Sequence, residues 1–173
     1  TNIVDEITLF GEGSFRLAPG LIATAGGRFN RTRLSGRGED VAPSLAMRFG
    51  DVTATRVEEE LLPSASITAQ VLPETTLYLR YQEGFRPGGL AIAGDFVSRF
   101  RNDRIATFEL GARHGQPGQG PFDLAASIAH TRWSDIQADF IDGSGFPSTA
   151  NIGDGRIWTG TLIAGVALSP ELR

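Results

Sequence analysis

Side chains that could support catalysis or metal binding are few and poorly placed in this sequence. The two histidines, His114 and His130, lie far apart with no carboxylate at helical spacing, so the chain has no His-Glu-x-x-His zinc motif. Ser134 and Asp135 follow His130, but alternate residues of a strand face opposite ways and no elbow presents the serine. The absence of cysteine excludes disulfides, thiolate metal sites and cysteine nucleophiles. We therefore expect no catalytic residue, no metal site, no cofactor and no enzymatic activity.

Arginine is the residue type best suited to bind a ligand here. All 16 basic residues are arginine, against 20 acidic residues, and the formal net charge is -4. This balance leaves no basic field, which excludes nucleic acid as a partner. Arg86, Arg99 and Arg101 fall in predicted loops, where they are candidate contacts for an anionic ligand. The alternative is that they balance nearby carboxylates or bind lipid phosphates.

Turn signals divide the chain at regular intervals. Glycine accounts for 22 of the 173 residues, which favours β structure with frequent turns over a helical bundle. Proline-containing turns are predicted at residues 18–20, 72–74, 116–118 and 169–171. Each interval of roughly 50 residues holds an outgoing strand, a long connection and a returning strand. Tight turns are therefore expected at one end of a sheet and long loops at the other.

The segments beside those turns alternate between apolar and polar residues, which is the period of a strand with two different faces. In residues 61–72, for example, Ile67 and Ala69 face one way and Ser66 and Thr68 the other. Residues 41–49 also alternate, and a hairpin with residues 52–59 inside a loop would raise the strand count to nine. The pattern predicts an all-β antiparallel protein with strands at residues 3–17, 21–33, 60–72, 75–86, 104–115, 121–141 and 154–168.

Strand length and the charged face favour a transmembrane barrel. Most predicted strands have roughly 12 residues or more, longer than soluble strands and long enough to cross a bilayer when tilted. Arg80 and Glu109 would point into a lumen, from strands expected to be adjacent. They are expected to pair with each other or with another domain, and they are further candidates for ligand contact. A soluble β-sandwich binding module, with the charged face in solvent, is the alternative.

Aromatic residues and the strand count refine the barrel hypothesis. Tyr81, Phe85, Trp133 and Trp158 are candidates for an aromatic girdle at the membrane interface. Bacterial single-chain barrels have an even number of strands, whereas this pattern gives seven or nine. The chain is therefore interpreted as a sector of a larger up-and-down barrel. The rival interpretation is a complete eight-stranded outer-membrane barrel with a structural or adhesive role.

Six short motifs extend together over roughly residues 60–160, and none of them is specific alone. The motifs are residues 62–67 (LPSASI), 76–81 (TLYLRY), 84–89 (GFRPGG), 108–111 (FELG), 135–137 (DIQ) and 151–155 (NIGDG). In their order and spacing they resemble the middle-to-late part of the 22-stranded barrel of TonB-dependent outer-membrane receptors.

The resemblance implies a role in energy-coupled import through the bacterial outer membrane. The expected cargo is an iron-siderophore complex or another scarce nutrient, which the loops and a plug domain would bind. The plug would also contact the inner-membrane TonB complex, and outer-membrane lipid would surround the wall. We expect residues 1–173 to be part of one β-barrel domain, with the plug and the barrel C-terminus absent.

Overall fold

The protein is built from β-strands throughout the described part of the chain. The computed structural model describes residues 2–37, 53–93, 96–117, 120–141, 143, 145 and 147–167. The strands are β1 (Asn2–Ala18), β2 (Leu21–Arg37), β3 (Thr53–Leu72), β4 (Thr75–Arg86), β5 (Gly89–Ala93), β6 (Phe96–Phe100), β7 (Asp103–His114), β8 (Phe122–Ser134), β9 (Gln137–Ile141), β10 (Pro147–Asn151) and β11 (Gly155–Val166).

Seven of these strands form one antiparallel sheet in the order β1-β2-β3-β4-β7-β8-β11. The connections β1–β2, β3–β4 and β7–β8 are short and lie at one end of the strands. The connections β2–β3, β4–β7 and β8–β11 are longer and lie at the opposite end. Two of the long connections carry hairpins of their own, β5–β6 and β9–β10. The predicted asymmetry between tight turns and long loops is therefore confirmed. We call the end of the sheet that carries the long connections the rim.

The sheet is inside out compared with a soluble protein. Large apolar side chains lie exposed on one face, among them Leu110, Ile128 and Leu162, whose exposed fractions are 56%, 51% and 72%. Among the described residues, Leu62 is the one buried apolar side chain. The buried polar and charged residues are Asn30, Thr32, Asp103, Asp123 and Ser148. Such a contiguous apolar surface is stable only against another apolar medium.

Five of the seven predicted strands lie within four residues of their observed bounds. The prediction for β4 matches the observed strand at both ends, because the Pro73–Glu74 turn and Pro87 limit it on either side. The strands β1, β2, β7 and β11 differ from prediction by one to four residues at an end. The fold class, an all-β antiparallel barrel sheet with about seven long strands, is confirmed.

Two strand predictions were wrong in part. Residues 53–59 do not form a loop hairpin but extend β3, where they pair with residues 31–37 of β2. Residues 41–49, the other half of that hairpin, lie outside the described residues. The strand predicted at 121–141 is interrupted after Ser134, because Asp135 has a left-handed backbone conformation with φ of 52°.

The long strands form a single-layer sheet, which argues against both the β-sandwich and the closed eight-stranded barrel. A sandwich would cover the apolar face with a second sheet, whereas Leu110, Ile128 and Leu162 on that face are exposed. A closed eight-stranded barrel would pair its first and last strands, directly or through another strand. In the described part of the chain, β1 pairs with β2 alone and β11 with β8 alone. No described helix has the length and apolar character needed to span a membrane.

A charge on the apolar face should destabilise the protein in lipid. We expect Ile128→Arg in the full-length protein to lower the free energy of unfolding by about 2–4 kcal/mol in lipid vesicles, because Ile128 lies mid-strand on the apolar face. The matched control is Thr161→Arg, since Thr161 lies on the polar face opposite Ser127. Urea unfolding measures both. An equal loss for the two variants would contradict the assignment of the faces.

Candidate functional site

The polar face carries a charged cluster where β4 meets β7. Strand register places Arg80 directly opposite Glu109, and Arg80 Nη2 lies 2.9 Å from Glu109 Oε2. The hydroxyl of Tyr78 donates to Glu109 Oε1, also at 2.9 Å. Each carboxylate oxygen therefore has a donor, and the predicted pairing of Arg80 with Glu109 is confirmed. The cluster holds these side chains flat across two strands.

Gly111 makes room for this arrangement. It lies opposite Tyr78 in the β4–β7 ladder, and a Cβ atom built at Gly111 would overlap the tyrosine ring. The ring therefore lies across the glycine, a cross-strand packing that compensates for the missing side chain. The guanidinium of Arg113 covers the same ring, 5.6 Å from its centroid.

A depression of about 290 Å³ follows the cluster on the polar face. Its walls come from three neighbouring strands and are dominated by hydroxyl and charged groups: Ser66, Thr68, Thr76, Tyr78, Arg80, Glu109 and Arg113. Such a surface suits water or a polar protein segment. It does not suit an apolar ligand, which would leave these groups unpaired.

A second cluster lies at the rim, centred on the buried carboxylate of Asp103. Arg86 Nε and Nη2 donate to Asp103 Oδ2 at 3.1 and 2.7 Å. The indole N–H of Trp133 donates to the same oxygen at 3.1 Å. Trp133 therefore lies on the polar face, and its prediction as a girdle residue is wrong. Because one carboxylate oxygen accepts three hydrogen bonds, the rim ends of β4, β7 and β8 are held together.

Gln137, at the start of β9, ties two long connections to each other. Its amide nitrogen donates to the carbonyl oxygens of Pro87 at 3.0 Å, Arg101 at 3.1 Å and Arg86 at 3.3 Å. In return, Arg86 Nη2 donates to the carbonyl oxygen of Gln137 at 3.0 Å. One side chain thus satisfies backbone acceptors at both ends of the β4–β7 connection.

Asn151, which pairs with Gln137 across the β9–β10 hairpin, makes a parallel set of contacts. The backbone N–H of Arg101 donates to Asn151 Oδ1 at 2.7 Å, and Asn151 Nδ2 donates to the carbonyl oxygen of Arg101 at 3.0 Å. Asn151 Nδ2 also donates to the carbonyl oxygen of Asp135 at 2.6 Å. The segment around Arg101 is therefore held through its backbone, leaving the side chain available.

The rim end of β3 also contacts the β4–β7 connection. Glu58 Oε2 accepts the backbone N–H of Gly88 at 3.0 Å, and Arg56 Nη1 donates to the carbonyl oxygen of Phe100 at 2.8 Å. A Cβ atom at Gly88 would lie 2.5 Å from the Phe100 carbonyl oxygen, so this close approach requires glycine.

The structure separates four of the five predicted ligand contacts into two groups. Arg86 and Arg101 lie at the rim, both contacting Gln137. Arg80 and Glu109 lie lower on the polar face, since Arg80 precedes Arg86 by six residues, about 20 Å along a strand. Arg99 lies in β6 opposite Leu90, and its side chain is outside the described part.

The two arginines at the rim differ in how far they are engaged. Arg86 is committed to Asp103 and to the backbone of Gln137. Arg101 is 74% exposed, and its nearest carboxylate oxygen among the described residues, Asp135 Oδ1, is 3.8 Å from Nη1. Among the predicted contacts whose side chains are described, Arg101 therefore has the most available guanidinium.

Sequence reasoning missed the residues that organise the rim. Glu58, Asp103, Gln137 and Asn151 were not proposed as site residues, although Gln137 and Asn151 lie within motifs that carry the family resemblance. An amide that binds backbone carbonyls has no spacing pattern, so the sequence contains no local signal for it. Across the described residues, no group of three or more histidine and carboxylate side chains is arranged to hold a metal ion.

An open, inside-out antiparallel sheet with a polar face and long connections at one edge defines a transmembrane β-barrel protein. The family described as "TonB dependent receptor-like, beta-barrel" matches residues 2–161. The chain therefore belongs to the β-barrel family of TonB-dependent receptors, which comprises outer-membrane receptors and transporters. Comparison with curated protein sequences gave no significant match.

Solved structures support the same fold. The ferric yersiniabactin uptake receptor FyuA of Yersinia pestis is similar with a TM-score of 0.79 at 17% identity, over 98% of this chain and 25% of that receptor. The copper transporter OprC has a TM-score of 0.73 at 15% identity, over 98% and 27%. The siderophore receptor PiuA of Acinetobacter baumannii has a TM-score of 0.72 at 15% identity, over 98% and 24%. The chain thus spans about a quarter of these proteins.

Gly111 should be intolerant of a side chain. We expect Gly111→Ala in the full-length protein to reduce the free energy of unfolding by about 1–3 kcal/mol, because the new methyl group must displace the Tyr78 ring from Glu109. Gly160→Ala is the matched control, since a Cβ there meets nothing within 4 Å. Urea unfolding of both variants, and of Gly111→Ala combined with Tyr78→Ala, measures the coupling. Strictly additive losses in the double variant would contradict the packing of Tyr78 on Gly111.

Proposed function

We propose that this chain forms wall and outer loops of a TonB-dependent receptor that imports an iron-siderophore complex or another scarce nutrient across the bacterial outer membrane. The observation that carries the proposal is the inside-out sheet with every long connection at one edge. That arrangement gives a lipid-facing wall with a polar lumen side and a rim that could meet a ligand. The alternatives of a closed eight-stranded barrel and a soluble sandwich fit the open single sheet less well.

The similar receptors favour a metal-bearing cargo without specifying it. FyuA takes up ferric yersiniabactin, PiuA is a siderophore receptor and OprC is a copper transporter, as their names state. Iron-siderophore complexes are often anionic, so an exposed guanidinium at the rim is a suitable contact. In this proposal the cargo is the substrate, and the chain itself has no catalytic role and no resident cofactor.

Within the proposed receptor, the predicted contacts take different roles. Arg101 meets the anionic ligand through its available guanidinium, and Arg99 is a further contact from the same connection. Arg86 supports them by fixing the rim through Asp103 and Gln137. Arg80 and Glu109 line the lower polar face, where the depression suits contact with a plug. The plug, the barrel C-terminus and the contact with the TonB complex are assigned to parts of the protein outside these 173 residues.

Uptake by living cells tests the proposed function. In a strain that produces the full-length protein as its sole receptor of this kind, accumulation of the radiolabelled metal-chelate cargo should require both the protein and an intact TonB system. Candidate siderophores and copper complexes serve as probes. Cargo that enters equally well without TonB, or with the receptor deleted, would contradict the proposal.

Arg101 offers the most direct test of the rim. We expect Arg101→Gln to weaken cargo binding by about tenfold, because one charge-assisted contact is lost, while leaving the receptor folded. Asp139→Asn is the matched control. This exposed carboxylate accepts a hydrogen bond from Thr149 within the β9–β10 hairpin and makes no contact with Arg101. Equilibrium binding to whole cells measures both variants. Unchanged binding in Arg101→Gln would remove Arg101 from the ligand site.

A further inference from the structure

A row of four rings crosses the apolar face near the rim. Strand register places Tyr81 opposite Phe108, Phe108 opposite His130, and His130 opposite Trp158. The ring centroids of Tyr81 and Phe108 are 4.6 Å apart, and those of His130 and Trp158 are 4.5 Å apart. Rings that combine an apolar body with a polar atom concentrate where lipid tails meet headgroups.

The position of the row along the strands agrees with a membrane interface. On β8, the face between His130 and Phe122 carries Ile128, Ala126 and Leu124, all apolar. The eight residue steps from Phe122 to His130 extend about 26 Å along the strand, or about 20 Å across a bilayer at the usual tilt, close to the apolar band of outer-membrane barrels. The ring row therefore marks the headgroup level on the rim side.

Two arginines lie one step above this row on the same face. Arg132 and Arg156 are direct cross-strand partners, so their Cβ atoms are about 5 Å apart. Both side chains are exposed, and among the described residues neither has a hydrogen-bond or ion-pair partner. Two like charges placed directly opposite each other destabilise a sheet unless an anion lies between them.

Two other arginines on this face, Arg31 and Arg104, each have a carboxylate within ion-pair distance. Arg31 Nη1 lies 3.6 Å from Glu59 Oε1, and Arg104 pairs with Glu60 and with Glu83. Along the row of Arg132, Ala106 is the next residue and Glu83 follows it, two strands or about 10 Å away. Among the described residues, no carboxylate lies within ion-pair distance of Arg132 or Arg156, whereas Arg31 and Arg104 each have one.

We propose that Arg132 and Arg156 together bind a phosphate group of an anionic lipid headgroup in the outer leaflet. The inference rests on the proposed placement of the chain in the outer membrane. Two guanidinium forks can each donate two hydrogen bonds to phosphate oxygens, which converts the repulsion into a shared charge-assisted contact. Trp158 and His130 lie directly below, where they contact the apolar part of the same lipid. The site faces the bilayer, which favours a lipid over a soluble anion.

Lipid titration of the full-length receptor tests the proposal. The delipidated protein in maltoside detergent, which carries no phosphate, is titrated with diphosphorylated lipid A and its unfolding midpoint is followed. We expect lipid A to stabilise the wild type and to bind Arg156→Gln about tenfold more weakly. In detergent without lipid A, the order of stability should reverse. Arg156→Gln should then unfold at a higher temperature than the wild type, because the like-charge repulsion is gone.

The controls separate this site from general effects of charge. Arg31→Gln removes an arginine from the same face whose partner is Glu59, so its lipid A affinity should equal that of the wild type. Arg156→Lys keeps the charge without the fork and should fall between wild type and Arg156→Gln. Equal affinity of wild type and Arg156→Gln, or equal stabilisation by dephosphorylated lipid A, would overturn the proposal.

Three further outcomes identify which of the two proposals has failed. Full stabilisation by inorganic phosphate, with no additional effect of lipid A, would make this a soluble-anion site and overturn the lipid assignment. TonB-dependent uptake by the wild type, together with unchanged lipid affinity in Arg156→Gln, would overturn the lipid site alone. Lipid A discrimination in a receptor that shows no TonB-dependent uptake would overturn the proposed function and leave the lipid site standing.

Discussion

Backbone hydrogen bonding in a medium without water is the constraint on which this structure depends. Within a bilayer every peptide N–H and C=O must find a partner in the protein, and a ladder of antiparallel strands provides those partners without helices. Seven strands do so here, from β1 to β11. The same constraint explains why β1 and β11 need further strands beside them, because an unpaired edge in lipid is costly. An open sheet of this kind is thus a sector of a closed wall.

The arrangement of side chains follows from the surroundings of the two faces. Leu110, Ile128 and Leu162 are exposed because lipid, not a protein core, would cover them. In the described part of the chain only one apolar side chain, Leu62, is buried, so order on the polar face comes from polar contacts such as Arg80 with Glu109. The rim uses the same chemistry on the backbone, where Gln137 and Asn151 satisfy carbonyl groups of the connecting segments. A rim built in this way keeps its loops in place while leaving Arg101 accessible.

The sequence predicted what is local and periodic. The bounds of β4 and the pairing of Arg80 with Glu109 were accessible, because a tight turn fixes register and alternation then fixes the face. The extension of β3 was missed because its partner on β2 lies across a long connection, and the break at Asp135 was missed because a left-handed residue leaves no periodic trace. The contacts of Gln137 and Asn151 were not predictable for a similar reason. They join segments about 50 residues apart in sequence, and only the folded sheet brings those segments together.

The central claim is that one face of the sheet lies in lipid and the other in water. Because these 173 residues contain no cysteine, single cysteines can be introduced along β8 of the full-length protein and labelled with a nitroxide. In lipid vesicles, collision with oxygen should peak at Leu124, Ala126 and Ile128, and collision with a water-soluble nickel complex should peak at Ala125, Ser127 and Ala129. A flat profile, or one with the two phases exchanged, would contradict the account.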